Sequence, residues 1–276
     1  MPWCDRVALS LIRRILSQMR QLSDDDLLAR SYAVTHPPGA VVLPGAWGWD
    51  QLLHASRGVM RVEDGGNVWV VPPDRALWLH DGARPRIVMQ GHVAVRTLYL
   101  RATDVFTPGP VALEVSPLLH ELILHAVRLC PLEAAEPAHH RIVDMIGDLL
   151  AVAPEAPVGL PRPYDRRAAR LADALAADPG ATVSLDRLAE SVAGTSRRTM
   201  ERVFVAETGV GIAQWRQRLR LVHALQLLAT GVPVTEVAIA VGYSTPSAFT
   251  AMFRAHLGAP PTRYLGRRGP AGGLKD

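Results

Sequence analysis

Two cysteines in 276 residues, a single lysine, and no uninterrupted apolar run approaching the roughly 18 residues of a membrane-spanning helix are the first absences in this chain. Cys4 and Cys130 are remote from each other and from any metal-ligand spacing, which suits a reducing, cytoplasmic setting. The first twenty residues break their apolar pattern with Asp5, Arg13 and Arg14 and lack a small-residue cleavage site, so no secretory signal is read there. At 49% hydrophobic residues without a span, the chain is expected to be soluble and is long enough for two domains, each with its own core.

Lysine's scarcity leaves 29 of the 30 basic residues as arginine, the better partner for phosphate and guanine. The net charge of +4 is unevenly spread. Residues 165–276 hold 15 Lys and Arg against 9 Asp and Glu, whereas residues 1–164 hold 15 against 17. The basic excess therefore belongs to the C-terminal part.

Residues 235–264 read as two short helices about a tight turn. Val237, Ala238 and Val241 give the first an apolar face, and Gly242 permits the turn. Thr245 is a good N-cap and Pro246 takes the first helical position, where its missing N–H costs nothing. Phe249, Phe253 and Leu257 recur every four residues, leaving Ser247, Thr250, Ala251 and Arg254 outward, and Gly258 with Pro260 and Pro261 ends the helix. A similar unit precedes it: Leu185, Leu188 and Ala189, a turn at Ala193-Gly194-Thr195, then Ser196 capping a helix to about Ala206. Met200, Val203 and Phe204 point inward there, and Arg197, Arg198, Glu201 and Arg202 outward. Each unit is a helix-turn-helix.

Between them Ile212, Trp215, Leu219, Val222 and Leu225 mark one helix over about 211–229. Roughly 19 residues span about 28 Å, close to the ~34 Å between successive major-groove windows on one face of B-DNA. The spacing predicts two reading helices in consecutive grooves. Arg198 and Arg202 are expected to read base edges, with Ser196, Glu201 and Thr245 at or near the DNA; Arg197, Arg216, Arg220, Arg254 and the helix starts are expected to hold phosphates. Ser247, Thr250 and Ala251 are suited to methyl groups and shape.

The run Ile239-Ala240-Val241-Gly242-Tyr243-Ser244, followed by Ser247, Phe249, Phe253, Arg254, Gly258, Pro261 and Tyr264, resembles the C-terminal signature of the AraC/XylS family of bacterial transcription regulators. Ser196, Thr199, Arg202, Phe204, Glu207, Thr208 and Gly209 sit where that family's first helix-turn-helix has like residues, so the likeness covers residues 165–266. It implies an all-α double helix-turn-helix domain, a DNA-binding regulator and not an enzyme. Its implied partners are double-stranded promoter or operator DNA, a small-molecule effector, RNA polymerase and a second copy of the chain; no cofactor, metal or membrane is implied.

Residues 31–100 change character. Short runs such as 51–54, 59–62, 68–71, 76–79, 87–89 and 93–100, rich in Val, Leu and Trp, are separated by Gly, Pro and Asp clusters, and Asp64-Gly65-Gly66-Asn67 reads as a hairpin turn. Many short strands predict a sandwich or small barrel. The phrases around Gln51-Leu52, Gly58-Val59-Met60 and Val71-Pro72-Pro73 resemble a cupin-type sensor domain, a jelly-roll barrel expected over residues 26–105. Where cupins often carry metal-binding histidines, the matching positions are Gly45, Trp47 and Pro85, which cannot ligate, and His54, His80 and His92 lie at no ligand spacing. What the likeness leaves is an apolar cavity for a small organic effector, lined by Trp47, Trp49, His54, Trp69 and Trp78. A metal-dependent cupin enzyme fused to a nucleic-acid module is the alternative, and a structural DNA-bending protein a third reading.

Outside the barrel, residues 1–25 form an N-terminal extension whose run 3–22 is amphipathic, with Trp3, Val7, Leu11 and Ile15 on one side. Its single short basic face is a weak membrane signal. Residues 106–153 are expected to be a helical segment of two amphipathic helices, 116–130 and 137–152, that either cap the barrel or form a dimer interface. Four prolines in residues 153–163 predict a semi-rigid linker over 154–164, and residues 267–276 form a tail. The fold class expected is thus α+β, in two domains.

Overall fold

A computed structural model describes residues 23–43, 48–101, 106 and 109–262. The amphipathic run 3–22, Cys4, Gly45, Trp47, Tyr264 and the tail lie outside the described residues. The architecture has two parts, a sheet-rich N-terminal part and a helical C-terminal part.

The sheet is built on two long strands. β3 (Trp49–Asp64) and β6 (Arg86–Arg101) pair antiparallel from Trp49↔Arg101 to Glu63↔Arg86. The runs 51–54 and 59–62, expected as separate strands, are halves of β3, and 87–89 and 93–100 are halves of β6. The break the sequence suggests at Gly58 is a bulge, with register shifts between Ala55 and Val59. Gly58 has φ +80°, and a Cβ there would stand 2.3 Å from the His92 carbonyl oxygen, so only glycine lets the strands stay paired through the bend.

Each half recruits its own neighbours. β3 pairs β5 (Arg75–Leu79) through its first half and β4 (Asn67–Val71) through its second, and β6 pairs β2 (Val41–Val42) and β1 (Leu27–His36). Among the described residues the main path runs β7-β5-β3-β6-β1-β8, with β7 (Val111–Glu114) and β8 (Leu132–Glu133) at its ends. Both end strands come from residues 106–153, expected to be helical only. Helices α1 (Pro117–Leu129) and α2 (Pro137–Ala151) lie between and after them and cover one face of the sheet, where Leu119, Ile123, Ile146 and Leu150 meet Leu52, Trp78 and Leu98.

The proline-rich segment 154–164 runs along the sheet. Ala156, Val158 and Leu160 are buried at alternate positions, Val70 N–H donates to the Val158 carbonyl, and β9 (Gly159–Leu160) pairs β4. Prolines at other positions leave these amides free to pair. The helical part follows as α3 (Arg166–Ala177), α4 (Leu185–Ala193), α5 (Arg197–Thr208), α6 (Ile212–Ala229), α7 (Val234–Ala240) and α8 (Pro246–Leu257). α6 is buried nearly all round, as a central helix must be. It packs on α5 and α7 and also on β3, β4, β6 and β9, so the two parts share a core. No described helix is long and apolar enough to cross a membrane.

Candidate nucleic-acid interface

Local chemistry builds the two helix-turn-helix units. In the first, Ser184 caps α4, accepting from Arg187 N–H at 3.3 Å, and Gly194 ends it in the left-handed region (φ +65°). Ser196 then caps α5, its Oγ accepting from Thr199 N–H at 3.3 Å. In the second, Gly242 (φ +79°) makes the turn, Thr245 Oγ1 accepts from Ala248 N–H at 3.2 Å, and Pro246 is the first residue of α8. Met200 and Phe204 bury the inner face of α5, with Phe204 edge-on to Trp215 of α6 at 5.8 Å. Phe249, Met252, Phe253 and Leu257 bury that of α8, with Tyr243 stacked obliquely on Phe249.

The outer faces are left to solvent. On α5, Arg198 and Arg202 are exposed, and Val205, half exposed, and Ala206 continue the same stripe at i+3 and i+4 from Arg202. Sequence reasoning missed Val205, because a valine beside Val203 and Phe204 reads as core. On α8 the stripe is Ser247, Ala251 and Arg254, with Thr250 half exposed beside them. α6, 18 residues long, joins the two units over about 27 Å.

Not every residue singled out lies on these stripes. Arg197 is exposed, with Nη1 3.4 Å from Asp186 Oδ2. Ser196 and Thr245 act as caps. Glu201 turns away from the outer face: its carboxylate accepts from Ile212 N–H at 3.3 Å and fills the space beside Gly211, closing the start of α6. Arg216 donates from Nη1 to the Val183 carbonyl at 3.0 Å, and its Nε is buried without a partner among the described residues. Arg220 donates from Nε to the Pro179 carbonyl at 3.0 Å and from Nη2 to the Ala181 carbonyl at 3.2 Å. The phosphate roles expected of Arg216 and Arg220, and the DNA-facing role expected of Glu201, meet side chains already engaged within the domain. Carbonyls and amides distant in sequence outcompete solvent for these side chains because folding delivers them at hydrogen-bond distance.

The aromatic residues expected to line one cavity are divided between the faces of the sheet. Trp78 and His54 face α1 and α2: Trp78 meets Phe106 at 5.3 Å, and His54 shares a hydrogen bond with His120 Nδ1 at 3.0 Å. Trp69 lies in the core shared with α6, its ring against Gly159. Trp49 is covered by the guanidinium groups of Arg30, at 4.6 Å, and Arg101, at 5.5 Å. Alternation along β3 sets Trp49 opposite His54, five residues on, and the bulge between Ala55 and Val59 shifts the phase, so Trp69, paired with Val62, lies apart from Trp78, paired with Leu52, although those partners are an even number apart. His54 Nδ1 also bonds the Arg75 carbonyl at 3.1 Å, and burial pulls its imidazole down to about 4.

Register brings together a different group. Arg30, Tyr99, Gln51 and Leu79 lie directly opposite one another across β1, β6, β3 and β5, with Tyr32 and Thr97 paired one row below. Gln51 is fully buried, and neither its amide nitrogen nor its oxygen is bonded among the described residues; Arg30 Nε is buried and unbonded as well. Burial pushes the Tyr99 phenol up to about 12. An isolated glutamine in a sequence carries no sign of this. Among the described residues no three His, Cys, Asp or Glu side chains cluster as metal ligands would.

Comparison with known proteins matches residues 190–267 to a family described as "Helix-turn-helix domain". The chain is 32% identical over 218 residues to the HTH-type transcriptional regulator NimR of Escherichia coli (strain K12), covering 79% of this chain and 80% of that one. It is 36% identical over 104 residues to the HTH-type transcriptional regulator RipA of Corynebacterium glutamicum, covering 38% of this chain and 31% of that one. Among solved structures, a transcriptional regulator with an AraC-type DNA-binding domain from Chromobacterium violaceum is 27% identical, covering 38% of this chain and 95% of that one, with a TM-score of 0.35.

Proposed function

Because the chain belongs to the AraC/XylS family of helix-turn-helix transcription regulators, we propose that it seats α5 and α8 in successive major grooves of promoter DNA under control of a small organic effector. The observation that carries the reading is the duplication. Two capped helix-turn-helix units present uncovered outer faces and are joined by one helix of about 27 Å, which a merely structural helical domain has no reason to carry. Arg198 and Arg202 read base edges, each bidentate contact to guanine contributing about 1–3 kcal/mol of discrimination. Val205 and Ala251 offer apolar contact to thymine methyl groups, and Ser247 and Thr250 read shape. Arg197, Arg254 and the capped starts of α5 and α8 hold phosphates, a part that Arg216 and Arg220 do not share.

The sheet part, with its bulged long strands, is read as a cupin-like sensor. Its effector is held by the row of Arg30, Tyr99 and Gln51, where Arg30 Nε and the Gln51 amide lack partners among the described residues. Such groups are rare in folded proteins and call for an occupant. A cytoplasmic setting and recruitment of RNA polymerase follow from the regulator reading. A second copy would cover α1 and α2, where Leu118, Leu129 and Met145 are exposed.

Selection of bound sequences from a random duplex library, followed by fluorescence anisotropy at two salt concentrations, tests the DNA reading. Selected DNA is expected to bind at least about a hundredfold more tightly than scrambled DNA. Equal affinity for both at either salt concentration would overturn it.

A further inference from the structure

Arg220 occupies the middle of α6, and its guanidinium spans the seam between the two helix-turn-helix units. On one side lies the loop between α3 and α4, whose Pro179 and Ala181 carbonyls it binds at 3.0 and 3.2 Å. On the other lies the turn of the second unit, where the guanidinium stands 5.7 Å above the Tyr243 ring. The backbones of loop and turn are pressed together at two glycines. A Cβ on Gly180 would stand 2.6 Å from the Ala240 carbonyl oxygen, and one on Gly242 would stand 2.5 Å from the Gly180 carbonyl oxygen and 2.7 Å from Arg220 Nη2. Side-chain-free backbone on both sides lets one planar cation reach both.

From this contact we infer that Arg220 is a positioning residue that fixes the separation and phase of the two reading helices, and so the half-site spacing of the DNA the protein accepts. Loop 178–184 leads directly into α4, so holding that loop holds the first unit, and holding Tyr243 holds the second. The covalent link through α6 fixes distance, but a helix joined only at its ends leaves each unit free to rock about its own packing. Bonds from the helix centre to both units remove that freedom. Since α6 also packs on β3, β4, β6 and β9, an effector signal that moves it carries both reading helices as one body, altering access to DNA and not the spacing read.

The inference rests on the DNA reading of α5 and α8, and two DNA lengths separate the two claims. Full-length wild-type protein, Arg220→Ala, Arg220→Lys and Gly180→Ala are titrated, by anisotropy, against a single half-site, the selected two-site duplex, and that duplex with its half-sites moved apart by two base pairs. Wild type should lose about a hundredfold in affinity when the spacing is changed, since one monomer can no longer engage both sites. Arg220→Ala and Gly180→Ala should lose less than about tenfold on that change while binding the single half-site within about threefold of wild type. Lysine retains the charge but lacks the planar fork for two carbonyls and a ring, so Arg220→Lys should keep the wild-type salt slope and still tolerate altered spacing. Wild-type spacing discrimination in Arg220→Lys, or half-site affinity and salt slope falling together in Arg220→Ala, would make Arg220 a phosphate contact and overturn the inference. Gly180→Ala leaves Arg220 intact, so discrimination unchanged in that variant would overturn the role of the seam even if the arginine variants fail to fold. Half-site binding no better than to scrambled DNA in wild type would instead defeat the reading of the helices.

Discussion

The sheet part and the helical part treat polar groups in opposite ways. The sheet holds Gln51 and Arg30 Nε inside without partners among the described residues and His54 neutral and fully buried, whereas α5 and α8 present Arg198, Arg202 and Arg254 to water. A buried unbonded amide recognises only what enters and replaces its lost water; an exposed guanidinium recognises what is too large to enter. The contrast separates two kinds of partner, a small molecule for the first part and a polyanion for the second.

Truncating Phe249 to alanine is expected to break the helical side of this contrast, costing about 3–5 kcal/mol because the ring is fully buried, against Tyr243 and Phe253. Urea unfolding should register the loss, together with failure to bind DNA; a loss confined to DNA binding would mean that α8 is held in some other way. Acid should act on the sheet side instead. His54 is held near 4, below its ordinary 6.5, so as pH falls the unfolded chain takes up the proton first. Its contribution is complete above about 6.5 and disappears as pH falls towards 4, amounting to roughly 3 kcal/mol across that window. Denaturation midpoints at pH 7 and pH 4.5 should converge in His54→Gln relative to wild type, and an equal acid sensitivity of the two proteins would remove His54 from the account.

Arg202→Ala sharpens the comparison at the surface. Discrimination should fall by about 1–3 kcal/mol at one or two base-pair positions, with little change in thermal stability. Binding to a set of single-base operator variants measures it, and a uniform loss across all of them would reassign Arg202 to the backbone. Gln51→Leu should have the smallest effect and the opposite sign, raising stability by about 1 kcal/mol because two unbonded polar atoms leave the core. Thermal unfolding without effector is the test; destabilisation would show that Gln51 is bonded in solution.

Much of the helical part was legible because its signals are local. Ser196, Thr245, Gly194, Gly242 and Gly258 cap or turn within four residues of the backbone they serve, and Met200, Phe204, Phe249 and Phe253 repeat at helical spacing. The sheet was legible as strands and misleading as segments. Gly58 and Gly91 suggest breaks but are bends in continuous strands, since pairing partners far along the chain decide whether a glycine ends a strand or kinks it. The tryptophans were grouped by residue type, and the bulge in β3 then put Trp78 and Trp69 in different cores although their partners Leu52 and Val62 are an even number of residues apart.

By itself the sequence determined the two helix-turn-helix units, the inward faces that pack them and the helix that separates them, because caps, turns and a 3.6-residue period act over a few residues. Tertiary structure alone decided which charged side chains remain available. Arg220 and Arg202 are alike in sequence as arginines on amphipathic helices, yet one meets carbonyls 41 and 39 residues away and the other is exposed. A side chain's role follows from what lies within about 3 Å of it, and that is set by chain paths the local pattern does not encode.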